Sequence, residues 1–334
     1  RPAQKGYYFV KLTIYGGFME KLLKVKTIIL FYAMLLLLPA SPLHAQQSQT
    51  DPPAILGILK KAIDGSLKKI DGYLIVASKK AALGGLKGKK TERALGGLCR
   101  SVPGSIDCAT VDPGGRMVAV MPAEYKKYNG TDIGGQEQVT RLQKTGKPVI
   151  SNVFRSVEGI DAVDIEYPVY LKNRELAGAV SLLVRPDVLL ASIIVPALEG
   201  LPREAWMMQK DGRILYDKDA KQIGLMLFED PLYRPYENLL AAGRKIASDR
   251  KGKGSYEFLS VGKQGPVRKD IIWDTLELYG TEWRLVVVYN SSPATTKRPP
   301  IGGDRDSHGC IGSAGYSWCE SKQKCLRIWE EPCP

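Results

Sequence analysis

The chain has 334 residues, 44% of them hydrophobic and 25% charged, with 48 Lys and Arg against 35 Asp and Glu and six cysteines. That length and balance suit a globular protein of about two domains and exclude a low-complexity or disordered chain. Its only histidines are His44 and His308, one near each end, which excludes a Ser-His-Asp triad within the central region.

The opening residues read as an export signal. Residues 1–18 precede Met19, which starts a basic segment, MEKLLKVK. Thr27–Leu38 is then an unbroken apolar run, and Leu43-His44-Ala45 ends in a small residue. This order predicts a true start at Met19 and a secretory signal peptide cleaved near Ala45, placing the mature chain in the periplasm or outside the cell. An apolar run of this length is short for a bilayer, which needs about 20 residues. Residues 1–45 carry six basic and one acidic side chains, so 42 basic and 34 acidic groups remain.

Most of that remaining excess lies in residues 53–98, with ten basic and three acidic groups. Pro53–Ala82 predicts one long helix. Leu56, Leu59, Ile63, Leu67, Ile70, Leu74, Ala77 and Ala81 recur at steps of three and four, giving a single narrow apolar seam. Its lysines form a solvated face or one drawn to an anionic surface, and two copies of the chain would pair along this helix. Nucleic acid is not expected as a partner of an exported chain without a recognition motif. A second, short helix spans Lys89–Leu98. Cys99 and Cys108 then predict a disulfide, given an oxidising compartment.

Two similar units follow. Trp206–Met208 and Arg213–Tyr216 flank a Lys210-Asp211-Gly212 turn, which predicts a hairpin. Pro231 is expected to open a helix containing Tyr233, Tyr236, Leu239 and Leu240. Ala109–Ala119 (ATVDPGGRMVA) has the same outline a hundred residues earlier, and Asp132-Ile133-Gly134 stands where Gln222-Ile223-Gly224 stands later. Gly146–Phe154 answers Gly252–Leu259, and the strand pair Asp164–Val184 answers Asp270–Tyr289. The pattern predicts two copies of a strand–strand–helix–strand–strand–strand unit.

The strings DGRILYDKDAKQIGLMLFEDPLY and IEYPVYLKNRELAGAVSLLV, behind the long helix, resemble the extracytoplasmic double Cache sensor domain, over about Pro53 to Asn290. The resemblance implies an α+β fold in which a long N-terminal helix carries two tandem PAS-like (Cache) modules with antiparallel sheets. Residues 99–200 would be the membrane-distal module and 201–290 the membrane-proximal one. It further implies a small-molecule ligand, such as a carboxylate, amine or amino acid, held in the distal module without a cofactor. The Arg-x-Trp-Tyr run of amino-acid-binding members is absent, so amino acids are not favoured over other metabolites.

A pocket in such a module lies between sheet and cover. The candidate ligand-binding residues are Tyr125, Tyr128, Arg141, Arg155 and Asp161: arginine for a carboxylate, aspartate for an amine, tyrosines for the walls. In the proximal module, Trp206, Tyr216, Tyr233, Tyr236 and Trp273 read first as core. Glu158, Asp161, Asp164 and Glu166 form an acidic group in which alternation places Asp164 and Glu166 on one face. A solvated strand edge is the expectation there, ahead of a cation site. No catalytic or metal constellation emerges.

After Asn290 the chain becomes a Pro/Ser/Thr/Gly linker (291–303) and then a Cys-rich module (304–334) with Cys310, Cys319, Cys325 and Cys333. Two disulfides are expected in so small a unit, with all three pairings open. His308 beside Cys310 leaves a metal site as a minor alternative, and Tyr316, Trp318 and Trp329 read as a mini-core. No second apolar span follows Asn290, so output is expected through a membrane receptor or sensor kinase. The function expected is therefore an exported small-molecule-binding, sensor-type protein; the alternative is an exported scaffold or adhesin attached through its Cys-rich tail.

Overall fold

The computed structural model describes residues 51–201, 203–261, 264–293, 305–311, 316–327 and 330–333. The expected start at Met19, the signal peptide, most of the 291–303 linker and the mini-core role of Trp329 lie outside them.

Helix α1 spans Pro52–Gly84 and buries the seam read from sequence, extended at its start by Ile55. At about 1.5 Å per residue it is about 50 Å long, enough to lie under two sheets in succession. It does so. Lys60 pairs with Asp274 at 2.9 Å, Ser78 Oγ donates to the Pro168 carbonyl at 2.7 Å, and Tyr279 donates its hydroxyl to Asp71. Helix α2 (Lys89–Ser101) packs beside α1. A disulfide joins its Cys99 to Cys108 on the first strand.

The first sheet contains β1 (Ser105–Val111), β2 (Met117–Met121), β3 (Val149–Ile150), β5 (Asp161–Tyr170) and β6 (Leu176–Val184), in the order β2-β1-β6-β5-β3, with β4 (Phe154–Arg155) paired to β5. The second contains β7 (Glu204–Gln209), β8 (Ile214–Tyr216), β9 (Gly252–Phe258), β10 (Val267–Leu278) and β11 (Thr281–Pro293), in the order β8-β7-β11-β10-β9. Both orders follow one rule, and every pairing is antiparallel. The repeat seen in the residues is thus a repeat of topology. Helix α4 (Pro186–Leu198) links the units, α3 (Glu137–Thr145) covers the first sheet and α5 (Glu237–Ser248) the second.

Each sheet is buried on both faces for different reasons. Cys108, Val163, Ile165, Val180 and Leu182 point to α1, as do Met207, Leu215, Leu285 and Val287. The alternate residues face the covers: Ala109, Val111 and Ala179 meet Val139 and Leu142, while Trp206, Met208, Trp273 and Val286 meet Tyr233, Leu239 and Ile246. Arg284 lies 1% exposed on the covered face of the second sheet. It remains charged there by donating to the Ile246 and Ala247 carbonyls at the end of α5, at 2.9 and 3.0 Å, and by pairing with Glu282 at 3.0 Å.

Two expectations are corrected. The helix read from Pro231 begins at Glu237, because Pro235 disfavours helical geometry at Arg234 and leaves residues 231–235 in turns. The linker read from Ser291 begins later, since β11 continues to Pro293 opposite Val267. In the tail, β12 (Ser317–Cys319) pairs with β13 (Lys324–Leu326), and the disulfides are Cys310–Cys325 and Cys319–Cys333. All four thiols are consumed, which removes the cysteine ligands that a metal site at His308 would need. That ring stacks on Trp318 with centroids 4.6 Å apart.

Candidate functional site

Strand alternation and register assemble an acidic patch on the covered face of the first sheet. Asp107 on β1 stands opposite Leu183 on β6, and Leu183 opposite Asp164 on β5. These three form one row across the sheet. In the next row Ala109, Ser181 and Glu166 are aligned in the same way. The loop before β5 brings Glu158 over this face. Asp107, Glu158 and Asp164 then line a cavity of about 20 Å³ together with Met117, Ile133, Gln136, Phe154, Ser156, Val157, Ser181 and Leu183.

Of the acidic group read as a solvated strand edge, Asp161 is exposed and Glu158 partly buried, whereas Asp164 and Glu166 are 2% and 0% exposed, and Asp107, 1% exposed, joins them. The reason is tertiary. Helix α3 and the Ser156–Ile160 loop close over strands whose polar residues, taken alone, look like an outer face. Asp164 is well supplied with donors, receiving Ser181 Oγ at 2.7 Å and Gln138 Nε2 at 3.2 Å. In contrast, Asp107 Oδ2 and both carboxyl oxygens of Glu158 and of Glu166 receive no N–H or hydroxyl donor among the described residues; these carboxyls meet one another instead, Asp107 with Glu158 and Glu166 with Asp164, so that a proton held on one bridges the pair. Among the described residues no cationic side chain lines the chamber.

Burial in this setting favours the protonated acids. Burial first, and the Glu158 carboxylate next, push Asp107 up to about 9. Burial raises Asp164 to about 6, against the opposing hydrogen bonds from Ser181 and Gln138. Glu166 is held well above the ordinary carboxylate range by burial and by Asp164 beside it.

A larger cavity of about 340 Å³ adjoins this chamber, sharing Gln136 and Phe154 with it. Glu137, Gln138, Arg141, Ser151, Asn152, Val153 and Thr281 form the rest of its wall. Thr281 belongs to the second sheet, so this vestibule lies where the two units meet. They are tied there by Val153 N donating to Gln209 Oε1 at 2.7 Å and Thr281 Oγ1 to the Ile150 carbonyl at 2.8 Å.

The residues singled out from sequence fall in three places. Tyr125 packs half-buried beside the chamber. Its hydroxyl is raised by burial and then by the Asp107 carboxylate, with Glu158 a further contributor. Tyr128 stacks on it, centroids 6.3 Å apart, with the Lys127 ammonium 5.1 Å from its own ring. Arg141 walls the vestibule, donating to the Ile150 carbonyl at 2.6 Å and pairing with Glu137 at 3.2 Å. Arg155 and Asp161 pair with each other at 3.3 Å on the exposed side of β4 and β5 and line neither cavity. Asp107, Gln136, Gln138 and Ser181 escaped the sequence reading. The one signal was a charged aspartate inside the otherwise uncharged β1 string SIDCATV.

In the second unit the aromatics divide. Trp206 and Tyr233 line a void of about 20 Å³ with Asp217, Gln222 and Lys269. Tyr216 faces α1, Tyr236 meets Phe258 edge-on, and Trp273 lies against Gly252 and donates to the Asp249 carbonyl at 3.0 Å. Among the described residues no group of three or more His, Cys, Asp or Glu is placed to hold a metal ion, and no helix is long and apolar enough to cross a membrane.

Comparison with known proteins agrees with this architecture. Residues 65–186 match the family described as HK/GC/Chemotaxis protein-like, sensor domain. An extracellular ligand binding receptor from Desulfohalobium retbaense is 30% identical with a TM-score of 0.59, over 72% of this chain and 40% of its own. The chain thus spans less than half the length of that receptor. The extracellular domain of the histidine kinase rpHK1S-Z16 superposes with a TM-score of 0.54 at 14% identity, over 73% of this chain and 95% of its own. No curated protein matches. The long helix and paired antiparallel sheets are thus a Cache-like α+β fold, the architecture these sensor domains share.

Proposed function

We propose that this chain binds a small metabolite outside the cytoplasm, in its first, membrane-distal module, and passes the event to a partner such as a membrane receptor or sensor kinase. One observation carries this reading: the first module gathers buried carboxyls without a cationic partner among the described residues, beside a cavity of about 340 Å³, large enough for a small organic molecule. Such groups cost stability unless a guest supplies their partners. The three disulfides support an oxidising, extracytoplasmic location.

Coupling to a partner has a physical route. The vestibule touches Thr281, so a guest there contacts both units at once. Helix α1 also leaves Ile58, Tyr73, Val76 and Leu83 exposed on its outer side, a stripe along which a second copy would pair. A thermal-shift screen of the full chain against metabolites tests the reading, followed by a crystal structure with any hit. A ligand in the first module is the expected result. A hit seated only in the second unit, or a broad library with none, would count against it.

A further inference from the structure

We infer that the chain has a second binding site, away from the covered pocket of the first sheet: the groove between α1 and α2, whose guest is a free single-chain amphiphile with an anionic head. The head would sit among Lys80, Lys90 and Arg93, and the chain along Tyr73, Val76 and Leu98.

This groove holds about 440 Å³ and lies on the outer side of the two helices. Tyr73, Val76, Ala77, Ala94 and Leu98 give it an apolar floor. Tyr73 and Val76 are 41% and 54% exposed, so part of that floor faces solvent. At about 1.5 Å per residue, Tyr73 to Lys80 is about 10 Å along α1, and Lys90 to Ser101 about 16 Å along α2. Length and volume suit one extended alkyl chain, toward the lower end of the range for small-molecule sites, about 300–1,000 Å³.

Charge sets the orientation. Every charged residue that lines the groove is a cation, and all lie at the end near the loop joining the helices, Lys80 on α1 and Lys90 and Arg93 on α2. None pairs with an acid among the described residues; Glu92, between the latter two in the chain, is bound to Lys126 at 3.0 Å. Fold stability gives no reason for the grouping. Like charges repel, and Lys90 stands in the first turn of α2, where the helix dipole disfavours a cation. An anionic head would offset both effects.

Other occupants fit less well. A bilayer is too flat to enter a crevice between two helices. A second copy along the outer stripe of α1 would share Tyr73 and Val76, but it would bring the same cations and could not neutralise the charged end. Gly97 also lines the groove, and a Cβ there would meet nothing within 4 Å. Leucine at that position would therefore fill the groove without disturbing the packing, and it favours the helix.

The test is calorimetric titration of the full chain with sodium decanoate, sodium acetate and decylammonium chloride, each below its micelle-forming concentration. Decanoate should bind, and acetate should bind at least about 100-fold more weakly for want of a buried chain. Gly97→Leu should remove the decanoate site while keeping or raising the melting temperature. Lys90→Gln combined with Arg93→Gln should weaken decanoate about 5- to 20-fold, the worth of two solvent-facing ion pairs. No decanoate binding, or binding that both variants leave unchanged, overturns the groove as a site and leaves the first-module ligand untouched. Decylammonium binding that Gly97→Leu abolishes overturns the anionic head. Sedimentation with phosphatidylglycerol vesicles and the oligomeric state in solution identify the rivals. Vesicle binding lost in the double variant, without decanoate binding, would assign the cations to a membrane surface and overturn the proposal. A change of oligomeric state in Gly97→Leu, again without decanoate binding, would give the groove to a second copy and overturn it equally.

Discussion

Asp107 shows how much a single residue's meaning depends on its surroundings. In the sequence it is one acid in an apolar strand; in the fold it is 1% exposed, beside Glu158 and across from Asp164. Its acid is raised from 3.8 to about 9, so between those values the folded chain holds a proton that the unfolded chain has released. Stability of the unliganded protein should then fall as pH rises through that window. Asp164, raised to about 6, contributes in the same direction, on the order of 3 kcal/mol lost between pH 4 and 6. Asp217 in the second unit is also raised to about 6, chiefly by burial, and adds to the same lower part of the curve. Melting temperature against pH for the parent and Asp107→Asn would check this. The variant should make the fall shallower across the whole span from about pH 4 to 9, leaving the contributions of Asp164 and Asp217 below about pH 6 and that of Glu166. Arg155 and Asp161 teach the converse: chemistry suited to a ligand, spent on each other at the surface.

Elements were more legible than residues. The α1 seam could be read because its period of three and four leaves no other surface to bury, and Leu74, fully buried in it, is a direct probe. Leu74→Ala should cost about 2–5 kcal/mol in denaturant unfolding. The hairpin at Asp211-Gly212 formed as its turn chemistry requires, with Gly212 at φ +94°. The helix before Leu239 did not start where its apolar spacing pointed, since Pro235 outweighs periodicity over a single turn. Gly178 in β6 marks a constraint that no pattern reveals. It has φ +141°, and a Cβ there would lie 2.1 Å from the Val111 carbonyl oxygen on β1. Gly178→Ala should therefore destabilise by more than about 2 kcal/mol, measured in the same way, although alanine is the smallest change available.

At the scale of the molecule, two sheets of one topology share a single helix, and their covers differ in what they enclose. The first surrounds acids; the second packs aromatics around one small void. The Cys99–Cys108 bridge secures α2 to the first of these sheets. Replacing both cysteines by serine should lower stability by about 2–3 kcal/mol, the entropy released by opening a loop of this length, and should leave the second unit's near-ultraviolet signal unchanged below the transition. Sequence alone determined the repeated unit, the helix seam and the strand pairs, because each depends on residues close together in the chain or on a period. Only the tertiary structure decided the disulfide pairing in the tail and the meeting of Asp107, Glu158 and Asp164. Insertion of β6 between β1 and β5, with a loop folded over all three, converts polar positions that look outward into the lining of a covered pocket. No local pattern of residues records which strand becomes whose neighbour.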